Sequence, residues 1–266
     1  SVCTIPAYLG WVSALFTGFG IILHTLTGMD ETLAIVVSSL LVIVYTTAGG
    51  MWAVTITDFF QAVVLIAGLL FLFPIVLGHV GGWGVVAAQV PAERFQLFPE
   101  STLVGWIGFL AALSVIGLGN IPGQDLLQRS LSARDEKTAQ ASAYLAGIFY
   151  LGIGMIPVLL GIVGSILMPE MANSEHVLMK LSLVHLHPVG VALFAGAMIS
   201  AVLSSAESEL LAPASIVGEN FAKLLKPDLP GRAVLWITRA SIPVLGGIAL
   251  VLSLYFQQVY TVMYNS

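Results

Sequence analysis

Charged residues make up only 9% of the 266 and hydrophobic residues 58%, against a usual charged share of about a quarter. Uncharged runs recur at 1–29, 32–57, 59–92, 101–124, 138–169, 181–206 and 240–266, each longer than the ~20 residues that a spanning helix requires, which excludes an ordinary soluble domain. The net charge of −5 excludes little by itself, because in a membrane chain the distribution of charge matters more than the sum.

The runs predict an all-α polytopic membrane protein, 1–266 forming a single transmembrane domain, with about seven spans near 4–27, 31–48, 54–78, 102–120, 139–167, 188–211 and 236–258. The first opens directly on an apolar helix with no initiator Met and no signal peptide, and the last ends without a polar tail, so both ends read as interior to a longer protein. Cys3, the one cysteine, excludes an intramolecular disulfide framework. Trp11 in the first span is either an interfacial belt residue or one wall of a cavity for an organic cation, held by cation–π attraction.

Between the second and third spans, Thr46-Thr-Ala-Gly-Gly50 predicts a tight reversal at the double glycine. Asp58, in Ile56-Thr-Asp-Phe-Phe-Gln61, then opens the third span, either as a helix cap or as a cation ligand. Gln61 falls three residues on, on the same face. Gly81-Gly82-Trp83-Gly84 predicts a turn followed by an interfacial aromatic.

The fourth span runs into Gly117-Leu-Gly-Asn-Ile-Pro-Gly-Gln124, where three glycines and a proline interrupt regular helix bonding. Backbone groups freed at membrane depth survive where they are buried in protein or line a wet cavity, so such a break marks a transporter's binding site as readily as an ordinary helix end.

The sixth span closes on Ser200-Ala-Val-Leu-Ser-Ser-Ala-Glu-Ser-Glu-Leu-Leu211. Ser200, Ser204 and Ser208 repeat every four residues with Gly196, which suits close helix packing. The alternative is a half-site for Na⁺ built from the Ala201 carbonyl and the Ser204 and Ser205 hydroxyls, brought to one face by i, i+3, i+4 spacing. Glu207 and Glu209, within a turn of the helix end, can reach water or the nearby basic loop, so neither need be an intramembrane charge.

Seven of the nine basic residues fall at Arg129, Arg134 and Lys137 and at Lys223, Lys226, Arg232 and Arg239. With alternating spans the positive-inside rule makes that side cytoplasmic, places the N-terminus of this chain inside, and suits a plasma (cell inner) membrane. His79, His176, His185 and His187 then scatter over the outer side, and His24 lies near the outer end of the first span, so none is expected to hold a metal. No phosphate loop, Cys-x-x-Cys or His-Glu-x-x-His is present, so the chain is not read as an enzyme.

Gly49-Gly-Met-Trp-Ala-Val-Thr-Ile-Thr-Asp-Phe-Phe-Gln61 resembles the signature region of the sodium:solute symporter family, and Ile199–Leu211 resembles its sodium-site helix. Gly119-Asn-Ile-Pro-Gly-Gln-Asp-Leu-Leu-Gln-Arg129 is similar to the broken helix of the branch containing high-affinity choline transporters. The resemblance implies a leucine-transporter-type core of inverted repeats, the seven spans being core helices three to nine. It implies Na⁺-coupled symport of a small organic solute by alternating access, with Na⁺ as the coupling ion and Ala201, Ser204 and Ser205 as ligands of its main site, and it assigns Asp58, supported by Ser205, to an additional cation site or to the inner pathway. The remaining ligands come from core helix one, outside this chain.

The resemblance also implies a solute cavity lined by Trp11, Asn120, Gly123 and Gln124. Choline-type members carry a second Trp where this sequence has Gly123, which argues for a different or larger solute. The rival reading is a symporter-like solute-sensing domain of a signalling protein. Neither reading involves nucleic acid, and the partners expected are the solute, Na⁺ and the bilayer.

Overall fold

The structure, a computed structural model, describes residues 4–96, 98–99, 101–119, 123–170 and 176–264. It is helical, with no β-strand among the described residues. In chain order the helices are α1 (Thr4–Thr27), α2 (Glu31–Val80), α3 (Trp83–Gln89), α4 (Leu103–Gly119), α5 (Gln124–Leu131), α6 (Glu136–Gly152), α7 (Met155–Leu167), α8 (Val177–His185), α9 (Pro188–Ile216), α10 (Lys223–Leu225) and α11 (Gly231–Tyr264). A 3₁₀ turn, Ala92–Phe95, follows α3, and a π-helical segment, Val217–Ala222, joins α9 to α10.

Six helical stretches are long and apolar enough to cross a bilayer: Thr4–Thr27, Glu31–Gly49, Val54–Val80, Glu136–Leu167, Pro188–Leu225 and Gly231–Tyr255. The fourth expected span is instead α4, an apolar helix of 17 residues, short of the ~20 of a typical span. Of the expected interruption, residues 120–122 lie outside the described residues, while Gly123, just before α5, is non-helical, with ψ of 118°.

The expected reversal at Gly49-Gly50 is not. Residues Glu31–Val80 form one helix of 50 residues, about 75 Å long at 1.5 Å per residue. Glycine raises the cost of a helix by about 1 kcal/mol per residue but keeps its N–H, so the hydrogen-bond ladder runs through where a proline would break it. The true turn comes at the other double glycine: Gly81 and Gly82 take φ of 96° and 89°, the left-handed region that a side chain disfavours. Trp83 follows it and meets the Phe95 ring edge-on, with centroids 5.8 Å apart.

The expected fifth span is broken into α6 and α7 at Ile153-Gly154. Pro157 accounts for the break, because it lacks the N–H that would bond to the Ile153 carbonyl. Asp135 starts α6: its carboxylate accepts the Thr138 N–H at 2.8 Å. Asp30 accepts the Leu33 N–H at 3.0 Å in the same way at the head of α2. The connection expected over 168–187 contains α8, which its mixed composition did not announce.

The chain divides into two compact units, Ser1–Leu72 with Glu175–Ser266, and Phe73–Ser174. In the first, α1 packs against α9 and α11. Its core gathers Leu9, Val12, Phe16 and Phe19 of α1, Val42 and Ile43 of α2, Ala206, Leu210 and Ala214 of α9, and Ile242, Leu245 and Ala249 of α11. In the second, α7 packs against α3 and α6, with Ile156, Leu160 and Val163 buried.

Candidate functional site

The seam between α2 and α9, inside the first unit, joins the expected cation residues Asp58 and Ser204. Three contacts fix its register. Ser204 Oγ donates a hydrogen bond to Asp58 Oδ1. A Cβ added at Gly68 would lie 2.6 Å from the Ala197 Cβ. One added at Gly190 would lie 3.1 Å from Cε1 of Phe71. As the α2 position advances from 58 through 68 to 71, the α9 position retreats from 204 through 197 to 190, so the two helices run antiparallel here. Extended by helix rise from the Ser204–Asp58 contact alone, this sets Gln61 about level with Ala201 and Glu207 about level with Thr55.

The structure therefore joins two of the four residues expected to bind a cation, although 146 positions separate them. Asp58 lies inside α2 and not at its start, so a helix cap does not account for it. Ala201 is half-buried, on the face of α9 that carries Ser204. Ser205 is exposed on the surface of its unit, about a hundred degrees of helix rotation from Ser204. Ser208 donates to the Ser204 carbonyl at 3.0 Å, which occupies its hydroxyl within the helix.

Two further residues bring oxygens that find no hydrogen-bond partner among the described residues. Gln61 Oε1 is buried and unpaired, as are both carboxylate oxygens of Glu207. Glu207 is 0% exposed, among the largest fully buried side chains, so the expectation that it reaches water is corrected. Helical phase explains the burial: Glu207 lies three residues beyond Ser204 on the same side of α9, beside Ala206 and Leu210 of the core. The signal that could have found it was this i, i+3 relation to Ser204. Glu209 is half-buried.

This collection fits a hard monovalent cation. Such an ion takes oxygen donors and little else, and the seam offers a carboxylate, hydroxyls, an amide oxygen and a main-chain carbonyl with no nitrogen or sulfur ligand. Buried oxygens without a hydrogen-bond partner carry a desolvation cost that a bound cation removes.

The residues expected to contact solute are divided between the two units. Trp11, on α1 in the first unit, is 61% exposed. Gly123 and Gln124 belong to the second unit, where Gly123 immediately precedes α5 with extended backbone and Gln124 is its first residue. Asn120 lies outside the described residues, as does the side chain of Gln124. Of the histidines, His24 and His176 meet edge to face with ring centroids 6.4 Å apart, and His176 Nδ1 lies 2.9 Å from Thr25 Oγ1. No group of three or more His, Cys, Asp or Glu side chains that could hold a metal occurs among the described residues.

Comparison with known proteins adds a family, two relatives and a solved structure. The model of the sodium:solute symporter family matches residues 2–266. High affinity choline transporter 1 of Homo sapiens is 28% identical over 281 residues, covering 98% of this chain and 48% of the relative. A sodium/proline symporter of Staphylococcus aureus is 27% identical over 233 residues, covering 85% of this chain and 43% of the relative. The chain thus spans about half the length of the curated relatives it matches. Among solved structures, a substrate-bound, outward-open Na⁺-coupled sialic acid symporter superposes with a TM-score of 0.79 at 23% identity, over 96% of this chain and 57% of that one. That likeness establishes the leucine-transporter-type fold.

Proposed function

The chain belongs to the sodium:solute symporter family, and on that premise we propose that it serves Na⁺-coupled symport of a small organic solute by alternating access in a plasma (cell inner) membrane. The observation that carries the reading is the meeting of Ser204 with Asp58 across the α2–α9 seam. In it, the Ala201 carbonyl and the Ser204 and Ser205 hydroxyls form one half of a Na⁺ site, and core helix one of the fold supplies the other half. Asp58 adds a negative charge beside Ser204, which offsets the ion's loss of water. Ser205, on the surface of its unit, is positioned to share the ion with a neighbouring element. Bound Na⁺ then favours the conformation in which both halves are together, and coupling requires only that this conformation also bind solute better.

Trp11, Asn120, Gly123 and Gln124 line the solute cavity in this reading. The relatives' names span choline and proline, and Gly123 stands where choline-type members place a second aromatic wall. The solute proposed is accordingly a small zwitterion or cation other than choline.

The test is uptake of labelled choline, betaine, proline, short carboxylates and sugars into proteoliposomes containing the full-length protein, with Na⁺ inside or outside and with K⁺ replacing it. Accumulation of one compound driven by a Na⁺ gradient supports symport and names the solute. No accumulation by protein that is demonstrably inserted overturns symport in favour of a solute-sensing membrane domain.

A further inference from the structure

Two imidazoles from distant parts of the sequence meet where α1 ends and α8 begins, both inside the first unit. His24 lies in the last turn of α1 and His176 at the N-cap of α8. Their rings stand edge to face with centroids 6.4 Å apart, and both residues are half-buried, so an ion from water can reach them. Neither the α2–α9 seam nor the proposed solute cavity uses this pair.

Hydrogen bonding fixes which nitrogen of each ring holds the proton. His24 Nδ1 lies 2.6 Å from the Met29 carbonyl oxygen, which can only accept, so this Nδ1 carries the hydrogen. His176 Nδ1 lies 2.9 Å from Thr25 Oγ1. The Thr25 hydroxyl already donates its one proton to the Ile21 carbonyl at 2.7 Å, so toward His176 it accepts. Each neutral ring therefore carries its lone pair on Nε2. An acceptor on each Nδ1–H, here a main-chain carbonyl and a hydroxyl, is the outer support that orients metal-ligating histidines and raises their basicity. The helix ends do not decide the matter: the C-terminal end of α1 favours a cation and the N-terminal end of α8 opposes one.

We propose that His24 and His176 form a two-imidazole site for a divalent transition metal of the Zn²⁺ class, each ligating through Nε2, with water completing the shell. Imidazole nitrogen suits such ions, whereas a hard cation takes oxygen. With Zn–N bonds of about 2.0–2.1 Å, two imidazoles on one tetrahedral ion have centroids about 5 Å apart, so the rings close by about 1 Å on binding. Rotation about the side-chain torsions supplies that movement without shifting either helix. Among the described residues no third His, Cys, Asp or Glu joins the pair, which makes the site labile, unlike the four-ligand sites of structural zinc. The bound ion ties the end of α1 to the head of α8, and none of this rests on the reading of the protein as a symporter.

The test uses the purified full-length protein, free of any histidine tag, and Zn²⁺ itself. Titration against a chromophoric chelator should show Zn²⁺ bound by the unaltered protein and weakened in both His24→Gln and His176→Gln. Thr25→Val leaves both imidazoles in place and removes the oxygen that orients His176. It should weaken binding about 10–100-fold, the usual cost of losing an outer partner, and the histidine variants should lose at least as much. Equal affinity in the unaltered protein and the two histidine variants overturns the proposal. A comparable loss in His187→Gln overturns it too, because Zn²⁺ would then be gathering on surface histidines at large. X-ray absorption at the zinc edge of the loaded, unaltered protein needs no variant to fold. Two imidazole ligands per ion support the site, and one or none overturns it.

Discussion

At the scale of single residues, the contact between Ser204 and Asp58 is the one most exposed to test. Ser204→Ala removes the hydroxyl that Asp58 accepts, and a hydrogen bond to a charged group is worth about 1.5–3 kcal/mol. The Na⁺ concentration for half-maximal uptake should therefore rise about tenfold or more, with Ser205→Ala acting in the same direction through the ion alone. A Na⁺ dependence unchanged in both variants would take these serines out of the cation site. Trp11 is exposed on α1, and its proposed contact with solute is open to a test by substitution. For a solute carrying a quaternary or primary ammonium, Trp11→Ala should raise KM about 2–30-fold, the equivalent of a cation–π contact of about 0.5–2 kcal/mol, and Trp11→Phe should recover part of it. An equal effect on an anionic solute would instead make Trp11 a packing residue. The residue pattern singled out the serines and Asp58 but left packing and a helix cap open for them, and the cation reading came with the family resemblance. Glu207 was misread, since closeness to a helix end in sequence says nothing of which neighbours cover that end.

At the scale of elements, the α2–α9 seam depends on small residues at its crossing. Gly68 stands where an added Cβ would lie 2.6 Å from that of Ala197, so Gly68→Ala should push the helices apart at a cost of about 1–3 kcal/mol. The expected result is a lower melting temperature in detergent and weaker Na⁺ binding, with recovery of both when Ala197→Gly is added. A double variant no better than the single one would show that the crossing is not what Gly68 protects. The head of α6 answers to pH. The Thr138 backbone N–H donated to Asp135 holds its carboxyl below the ordinary value of 3.8. A depressed value means that this cap stabilises the fold above that ordinary value and ceases to as pH falls through the folded one. Asp135→Ala should thus melt lower than the unaltered protein at pH 7, with the gap closing below about pH 3.8. A gap independent of pH would point to lost packing and not to the cap. Runs of apolar residues made most of these helices legible, and the turn at Gly81-Gly82 with them. Their ends were less so: the pair Gly49-Gly50 looks like Gly81-Gly82 in composition, yet the first stays inside a helix and the second takes positive φ. What separates them is the flanking backbone, which composition does not record. The break at Ile153-Gly154 was signalled by Pro157, but at the position four residues ahead of it and not at the proline itself.

At the scale of the molecule, the first unit brings together segments from both ends of the chain, so a ligand at the seam reports on residues that the sequence keeps far apart. α2 contributes Asp58 and Gln61, α9 contributes Ala201 to Glu207, and the core of α1, α2, α9 and α11 holds them. An ion that binds one arrangement of these helices better than another stabilises that arrangement by mass action, and local opening of every backbone it ties becomes rarer. Amide hydrogen exchange should therefore slow on replacing K⁺ with Na⁺ at constant ionic strength, in peptides covering 55–61 and 199–209 together. The slowing should deepen when the transported solute is added, because coupling between two ligands is reciprocal. Peptides from α3 and α7, in the second unit, serve as the internal reference. Protection confined to 199–209 would leave Asp58 outside the cation site and reduce the seam to a packing contact. Equal protection in Na⁺ and K⁺ would mean that the seam does not select its ion. Protection of both stretches, specific to Na⁺, would require the ion to act on α2 and α9 together, since no contact within either helix alone links their opening.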